Sequence, residues 1–307
     1  MPISPEQWTA LEGASITPLA QLFADDPDRA ERLSVDVAGI TFDFAKTHLS
    51  REMLDQAGLM AKDGGLREAK EALFTGAIVN PTEGRAAEHL AERGTGSPDA
   101  VAFAGACHSR MRALVDAVEA GAFGDVTGLL HIGIGGSALG PDLLIDALGR
   151  GENRYKVEVL SNIDGQAFDA AVADLDPATT LVVIASKTFS TAETLQNARS
   201  ALVWLEEAGV ADPYGKLIGI TAAPQAAVDF GIDETRVLPF GESVGGRYSL
   251  WSTIGFVVAV ALGYSAFEEL LEGAAEMDRH FRFAEDSVSA PVLAALSDLF
   301  YAHRLGC

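Results

Sequence analysis

Short apolar runs alternate with helical segments between Gly128 and Pro239, and this alternation restricts the possible folds more than any other feature of the chain. The runs are rich in Val, Ile and Leu, as expected of strands buried on both faces. The predicted strands are 128–134, 157–160, 181–184, 217–220 and 237–239. The predicted helices between them are 139–148, 166–175, 191–208 and 225–230. The alternation implies right-handed crossovers and therefore predicts an α/β fold, a doubly wound five-stranded parallel sheet with helices on both faces.

The segments on either side of this alternation read mainly as helices. Before it, helical periodicity covers 8–22, 27–33, 47–59, 66–73 and 98–120, and the alternating run 40–44 predicts a short strand. After it, helices are predicted at 249–262, 267–283 and 289–305. The glycines at 121 and 124 interrupt the helical pattern. We therefore predict a helical N-terminal region over 1–122 and a sheet domain over 123–285.

The charge balance of the chain is strongly acidic, with 44 acidic against 22 basic residues and a formal net charge of −22. Such a surface repels nucleic acid and anionic membranes, so neither is an expected partner, and an anionic ligand must be held by local groups. The two cysteines, Cys107 and Cys307, form no disulfide framework or metal pattern and indicate a reducing compartment. Residues 1–8 lack a signal-peptide pattern, and the longest apolar run, 250–264, is too short to span a bilayer. These features predict a cytoplasmic protein.

A glycine-rich turn follows the first predicted strand in the segment HIGIGGSALGP, residues 131–141. Gly135 and Gly136 allow the backbone to approach a ligand closely, and Ser137 adds a hydroxyl at a helix start, where an anion is favoured. The segment also satisfies the Gly-x-Gly-x-x-Ala pattern of dinucleotide sites, although Glu158, near the acidic position of that pattern, falls inside a predicted strand. From these residues alone, a nucleotide site, a sugar-phosphate site and a turn that serves only packing all stay open.

A second loop of this kind, IASKTFSTAET over 184–194, follows the third predicted strand. Its hydroxyl side chains are Ser186, Thr188, Ser190 and Thr191. Hydroxyls and backbone N–H groups at a helix start bind phosphate oxygens, and the cation of Lys187 suits the same ligand. Glu193 lies in the first helical turn, where a carboxylate also serves as a simple capping residue. Two such loops on one sheet edge predict a site for a phosphorylated small molecule.

A third segment, ESVGGRYSLWSTIG over 242–255, follows the last predicted strand. Gly245 and Gly246 open the backbone, and Ser249 is placed to cap the apolar helix that we predict after it. Arg247 carries a permanent, fork-shaped charge suited to stabilising a developing oxyanion. An isolated arginine in so acidic a chain would more often form a salt bridge. Its position after the fifth strand, on the same sheet edge as the two loops, favours the functional interpretation.

Together these segments resemble the phosphoglucose isomerase family. The matching stretches are 133–141, 186–194 and 244–252, and a fourth, NPTEGRAAEH over 80–89, resembles the family's Asn-x-Thr-Glu-x-Arg-Ala segment. The resemblance extends over nearly the whole chain, in the order of the family. It implies a sugar-isomerase (SIS) fold and the interconversion of glucose 6-phosphate and fructose 6-phosphate through an enediolate, without metal or organic cofactor.

The resemblance also implies a role for each matching residue. The residues expected to bind substrate are Gly136, Ser137, Ser186, Lys187, Thr188, Thr191, Glu193 and Gly246. Of these, Ser137, Ser186, Thr188 and Thr191 would hold the phosphate, with Lys187 and the backbone N–H groups of Gly136 and Lys187 nearby. Gly246 would lie against the sugar and Glu193 close to its hydroxyls. Arg247, the expected catalytic residue, would stabilise the enediolate and steady the catalytic base.

Three catalytic segments of the family are not found in residues 1–307. In the family, the base glutamate lies in Glu-Ser-Asn-Gly-Lys, a histidine lies in Gly-Thr-His, and a lysine lies near the C-terminus. We therefore expect this chain to be an N-terminal portion that is inactive alone, with 286–307 beginning a truncated second SIS domain. His131 is no substitute, because its place inside a strand predicts a core residue.

Two other functions stay open from the sequence. One is a non-catalytic module that binds a sugar phosphate, although no basic helix-turn-helix pattern accompanies the sheet. The other is a nucleotide-dependent oxidoreductase, suggested by the glycine pattern at 133–138. For the isomerase, the resemblance implies a sugar phosphate as the small-molecule partner and a homodimer at full length.

Overall fold

The computed structural model describes residues 4–13, 15–149 and 154–306. The strands are β1 Ser34–Val37, β2 Ile40–Asp43, β3 Gly128–Gly133, β4 Lys156–Leu160, β5 Thr180–Ala185, β6 Leu217–Thr221 and β7 Val237–Pro239. The helices are α1 Pro5–Gly13, α2 Leu19–Asp25, α3 Arg29–Arg32, α4 Arg51–Asp63, α5 Leu66–Phe74, α6 Pro98–Glu119, α7 Leu139–Leu148, α8 Gly165–Val172, α9 Ala192–Glu207, α10 Pro224–Phe230, α11 Phe256–Leu262, α12 Tyr264–Phe283 and α13 Ala290–Phe300. In this part of the chain, no helix combines the length and apolar character needed to cross a bilayer.

The chain divides into two compact units, residues 1–79 with 272–307 (the first unit) and residues 80–271 (the second unit). The second unit contains the five-stranded sheet, in the order β4-β3-β5-β6-β7 with all neighbours parallel. This sheet confirms the predicted doubly wound α/β fold, and each strand lies within two residues of its predicted bounds. The domain boundaries at 122 and 285 stay predictions.

Both faces of the sheet are covered by helices, because apolar side chains of the strands alternate between two cores. Leu129 and Leu181 face one core with Met111 and Val115 of α6, and the helix α11, buried from Phe256 to Ala261, packs there as well. Leu130 and Val182 face the other core, which contains the small residues of α9. Burial of each large side chain contributes about 2 kcal/mol. The period of two in the strands thus produces the two layers of helices.

The first unit is built from helices and a small hairpin. β1 pairs with β2 in an antiparallel ladder through a turn at Ala38 and Gly39, both of which have positive φ. The buried side chains around this hairpin include Leu33, Val35 and Leu293 of α13. The sequence analysis predicted only one strand here, over 40–44, and missed β1, whose four residues SVDV show the same alternation.

Four predicted helices differ from the structure. The helix predicted over 47–59 begins and ends four residues later, as α4, because the Ser50 hydroxyl caps its first turn. The periodic segment 8–22 contains two helices, α1 and α2, and Pro18 precedes the second. The segment 249–262 is not one helix, because Ser252 adopts an extended backbone (φ −89°, ψ −165°) and divides it into 3₁₀ turns at Gly246–Trp251 and Thr253–Gly255 and the helix α11. The predicted helix 289–305 ends its α-helical part at Phe300 and continues as a π turn to Leu305. Cys307 lies outside the described residues.

Candidate active site

Three loops of the second unit leave the same edge of the sheet. The loop after β3 forms the 3₁₀ turn Gly135–Ser137, the loop after β5 begins at Ser186 and leads into α9, and the loop after β7 leads into the turn Gly246–Trp251. All three strands are parallel, so their carboxyl ends lie at one edge. This edge is where open α/β sheets bind ligands.

The first and third loops touch through their backbones at Gly136. A Cβ atom built on Gly136 would lie 2.2 Å from the carbonyl carbon and oxygen of Gly246 and 2.6 Å from the amide nitrogen of Arg247. Only glycine permits so close an approach. The Ser249 hydroxyl donates to the Gly246 carbonyl at 2.7 Å and fixes the turn from within. Arg247 is thereby held directly against the glycine-rich loop.

The second and third loops are joined by Lys187. Its ammonium group donates to the carbonyl oxygen of Val244 at 2.9 Å. Burial lowers the pKa of Lys187, and the charge of Arg85 lowers it further, whereas Glu83 and Glu242 act in the opposite direction. Lys187 therefore brings a partly desolvated cation to the junction of the two loops.

Hydroxyl groups cluster in the second loop, as the sequence predicted. The hydroxyls of Ser186 and Thr191 lie 3.2 Å apart, and Ser190 donates to the Thr188 hydroxyl at 2.7 Å. Ser186 is buried, whereas Thr188 is exposed. Thr191 precedes the first residue of the 16-residue helix α9, whose N–H groups favour an anion there. Glu193 lies exposed in the first turn of α9.

Phe189 shapes this loop, although no pattern in the sequence pointed to it. Phe189 has a positive φ of 49°, a conformation that costs a non-glycine residue about 1 kcal/mol or more. Its ring is buried and meets the ring of Phe230 edge-on at 5.9 Å. The Phe189 amide donates to the Ser186 carbonyl at 3.1 Å. Burial of the ring thus offsets a strained turn that places two hydroxyl residues on each side of it.

The Arg247 side chain is exposed and lies over the Tyr248 ring, 5.0 Å from its centre. Within the described residues it forms no salt bridge with a carboxylate, which was the alternative interpretation of this arginine. The segment 80–89 lies beside it: Arg85 donates to the Glu242 carbonyl at 3.1 Å, and His89 stacks on Tyr248 at 4.8 Å. Neither Arg85 nor His89 was assigned a role from the sequence, although the motif at 80–89 pointed to the segment.

The profile of the family described as "Phosphoglucose isomerase" matches residues 43–307. This chain belongs to the phosphoglucose isomerase family. A glucose-6-phosphate isomerase of Rhizorhabdus wittichii is 59% identical over 295 residues, which cover 96% of this chain and 59% of the relative. A glucose-6-phosphate isomerase of Sphingopyxis alaskensis is 58% identical over 308 residues, and the match covers 62% of that relative.

A solved structure supports the same family. The crystal structure of a glucose-6-phosphate isomerase from Chlamydia trachomatis matches with a TM-score of 0.88 and 25% identity, covering 99% of this chain and 61% of that one. The fold is therefore the SIS-type fold of phosphoglucose isomerases. The chain spans about three fifths of the length of the relatives it matches.

A dinucleotide-binding loop requires an acidic residue at the end of the following strand, which is β4 here, and Glu158 does not occupy that position. Glu158 lies within β4, paired with Leu130 of β3, and not at the end of the strand. Burial raises its pKa. The strand is followed by Ser161 and Asn162, which carry no charge. Among the described residues, no group of three or more His, Cys, Asp or Glu side chains is arranged to hold a metal ion.

His131 is a buried core residue, as its place in the strand predicted, and it supports the first loop from below. Its Nε2 lies 2.7 Å from the Ser137 carbonyl, and burial lowers its pKa from 6.5 to about 4. An unfolded chain takes up a proton at this imidazole below pH 6.5, whereas the folded chain does so only near pH 4. The contribution of neutral His131 to the free energy of unfolding is therefore fully present above pH 6.5, and it decreases as the pH falls toward 4.

We expect His131 to reduce the free energy of unfolding by about 3 kcal/mol between pH 7 and pH 4. The variant His131→Gln retains an amide donor for the Ser137 carbonyl but does not titrate. Urea unfolding of both proteins at several pH values measures the difference. His131→Gln should lose correspondingly less stability on acidification, and equal losses in the two proteins would contradict the assignment.

Proposed function

We propose that this chain supplies the sugar-phosphate site of an enzyme that interconverts glucose 6-phosphate and fructose 6-phosphate through an enediolate. The observation that carries the proposal is the backbone contact of Gly136 with Gly246 and Arg247, because it brings the glycine-rich loop and the catalytic arginine to one place. The names of close relatives support the same reaction. The proposal covers the whole protein's activity, of which these residues provide one part.

The substrate phosphate is held by the first and second loops. Its partners are the hydroxyls of Ser137, Ser186, Thr188 and Thr191, the backbone N–H groups of Gly136 and Lys187, and the Lys187 cation. Hydrogen bonds to a charged group contribute about 1.5–3 kcal/mol each. Such local contacts are required because the net charge of −22 repels an anion at a distance. Anchoring the phosphate places the sugar carbons at a constant position along the sheet edge.

The reaction requires a group that stabilises negative charge as a proton leaves the carbon next to the carbonyl. Arg247 has this role: its guanidinium is permanently charged, faces the site from the turn beside Gly136, and meets the enediolate oxygens. Gly246 lies against the sugar, and Glu193 lies near its hydroxyls. We assign no general base within residues 1–307. Binding without turnover is therefore expected of this chain when it is tested alone.

Calorimetric titration with fructose 6-phosphate tests the phosphate anchor. We expect the double variant Thr188→Val/Thr191→Val to bind about 100-fold more weakly, since two hydrogen bonds to a charged phosphate are removed. The matched control is Thr127→Val/Thr179→Val, which removes two hydroxyls that lie 2.6 Å apart at the opposite edge of the sheet. Unchanged affinity in the first variant would refute the assignment of Thr188 and Thr191.

Turnover by the chain alone separates the enzyme from the binding module. A coupled assay that detects glucose 6-phosphate formed from fructose 6-phosphate should give no rate above background, although the ligand binds. A measurable rate would show that a base lies within residues 1–307. If longer forms of the protein also bind without turnover, the non-catalytic module is the correct function.

The location and assembly of the protein form part of the same proposal. A sugar phosphate in central metabolism is a cytoplasmic metabolite, so we place the protein in the cytoplasm. The family resemblance implies a homodimer at full length. Cell fractionation tests the location. Sedimentation equilibrium of the full-length protein tests the assembly, where a monomer at all concentrations would contradict the dimer.

A further inference from the structure

A buried glutamate and a histidine meet beneath the turn that carries Arg247. Glu92 lies in the 3₁₀ turn Ala91–Arg93, and only 2% of its side chain is exposed. His108 lies on α6, with 13% of its side chain exposed. The carboxylate oxygen Oε2 of Glu92 and the ring nitrogen Nε2 of His108 are 2.9 Å apart. Neither residue belongs to the motifs that resemble the family's site.

The same ring nitrogen also reaches the backbone of the third loop. Nε2 of His108 lies 3.1 Å from the carbonyl oxygen of Trp251, the last residue of the turn Gly246–Trp251. Both neighbours of Nε2 are acceptors, so this nitrogen carries the hydrogen, which it donates to the Trp251 carbonyl; Glu92 Oε2 lies against the ring as a charge contact and accepts no hydrogen bond from the described residues. The ring is also held in place, because Phe267 meets it edge-on at 5.7 Å and the Tyr264 hydroxyl donates to the His108 carbonyl at 3.2 Å.

Hydrogen bonds continue from this contact through the turn to the residue next to Arg247. The Ser252 hydroxyl donates to the Ser249 carbonyl at 2.6 Å, and the Ser249 hydroxyl donates to the Gly246 carbonyl at 2.7 Å. The Arg93 guanidinium lies over the Trp251 ring, 5.0 Å from its centre. The turn is therefore held at its end by groups from 91–108 and at its beginning by Gly136.

We propose that Glu92 and His108 are positioning residues that hold the Gly246–Trp251 turn, and with it Arg247, where the enediolate requires a cation. The inference rests on the proposed function of Arg247. Desolvation offsets much of the attraction in a buried pair, so such a pair adds little net stability. Its effect is directional: the negative charge of Glu92 lies against the ring edge that carries the hydrogen, and the imidazole fixes the Trp251 carbonyl.

The test compares two ligands, because a loss of structure would weaken both. Inorganic phosphate probes the anchoring loops. Arabinonate 5-phosphate has the same phosphate and, in addition, a carboxylate at the place of the enediolate oxygens, where it meets Arg247. The variant Glu92→Leu/His108→Phe replaces both partners with apolar groups of similar volume, which keeps the core packed and leaves neither group unpaired.

We expect the double variant to bind arabinonate 5-phosphate about tenfold more weakly and inorganic phosphate with unchanged affinity. In the single variant His108→Gln, the amide nitrogen can still donate to the Trp251 carbonyl. This variant should therefore bind arabinonate 5-phosphate with nearly the affinity of the unsubstituted chain. An unchanged ratio of the two dissociation constants in the double variant would overturn the inference, whether both affinities stay the same or both weaken equally. Equal weakening of both ligands indicates a structural role only.

Hydrogen exchange distinguishes a failure of this inference from a failure of the proposed function. If the unsubstituted chain binds neither ligand, the proposed function is wrong. The backbone amides of Tyr248 and Ser252, which are bonded within the turn, still report on its rigidity. They should exchange about tenfold faster in the double variant than in the unsubstituted chain, while amides of β5 are unchanged. Equal exchange in the turn would overturn the positioning role without reference to any ligand.

Discussion

Gly136→Ala should abolish detectable binding of fructose 6-phosphate and lower the melting temperature of the second unit. The added methyl group would lie 2.2 Å from the backbone of Gly246 and 2.6 Å from that of Arg247, so one of the two loops must move. Backbone atoms on both sides leave no flexible side chain to give way. Displacement by about 1 Å would separate the proposed phosphate-binding loops from Arg247, and we expect this to weaken binding by about 100-fold or more.

The control for this substitution is Gly105→Ala. Gly105 lies inside the helix α6 with no atom within 4 Å of the added methyl group. Alanine is the better helix former, so stability should rise by about 1 kcal/mol and binding should not change. Calorimetry and thermal unfolding measure both quantities in both variants. A Gly136→Ala protein that binds within threefold of the unsubstituted chain would show that the two loops do not depend on this contact.

Arg29→Met should produce the largest loss of stability in the first unit. Arg29 is buried, with 1% of its surface exposed, and its guanidinium donates to the carbonyl oxygens of Ala45, Leu49 and Thr47 at 2.7–2.8 Å. Burial lowers its pKa, yet an arginine stays charged at all relevant pH values. Methionine fills similar space but removes the donor from the buried carbonyls of Ala45 and Leu49 and from the half-buried carbonyl of Thr47. We expect the free energy of unfolding to fall by about 4 kcal/mol.

Arg67→Met is the matched control, because the Arg67 side chain is 88% exposed and pairs, among the residues that the structure describes, with its neighbour Glu68. Such a surface pair contributes little, so the change in stability should stay within about 0.5 kcal/mol. Urea unfolding gives both values. Similar stabilities for Arg29→Met and the unsubstituted chain would mean that the segment 45–49 finds other donors.

The parallel sheet was predictable because its signals are local. Each strand is a short apolar run bounded by glycine or polar residues, and each intervening helix has its own periodicity. The glycine-rich and hydroxyl-rich loops were equally visible in the sequence. The side chains that hold those loops together were not, because the contacts of Lys187 with Val244 and of His108 with Trp251 join residues far apart in the chain.

The features that the sequence analysis did not predict depend on local hydrogen bonds and on burial, which the residue composition does not show. The apolar run after Ser249 reads as one helix, but the Ser252 hydroxyl accepts from the Ile254 amide and starts a new turn, so the helix α11 begins only at Phe256. Phe189 adopts a conformation that local preference disfavours, and burial of its ring outweighs that preference. Arg29 lies in the predicted helix 27–33, and only the fold brings the carbonyls of Ala45, Thr47 and Leu49 to its guanidinium.

An NMR titration of the isotope-labelled chain with glucose 6-phosphate tests directly whether the loops after β3, β5 and β7 bind one ligand. If the three loops form one sugar-phosphate site, the amide signals of Gly136, Ser137, Lys187, Thr188 and Gly246 should shift together and saturate with one dissociation constant. Amides at the opposite edge of the sheet, such as Thr127 and Thr179, should not move. Shifts confined to that opposite edge, or no saturable shifts at all, would show that the three loops do not form a sugar-phosphate site.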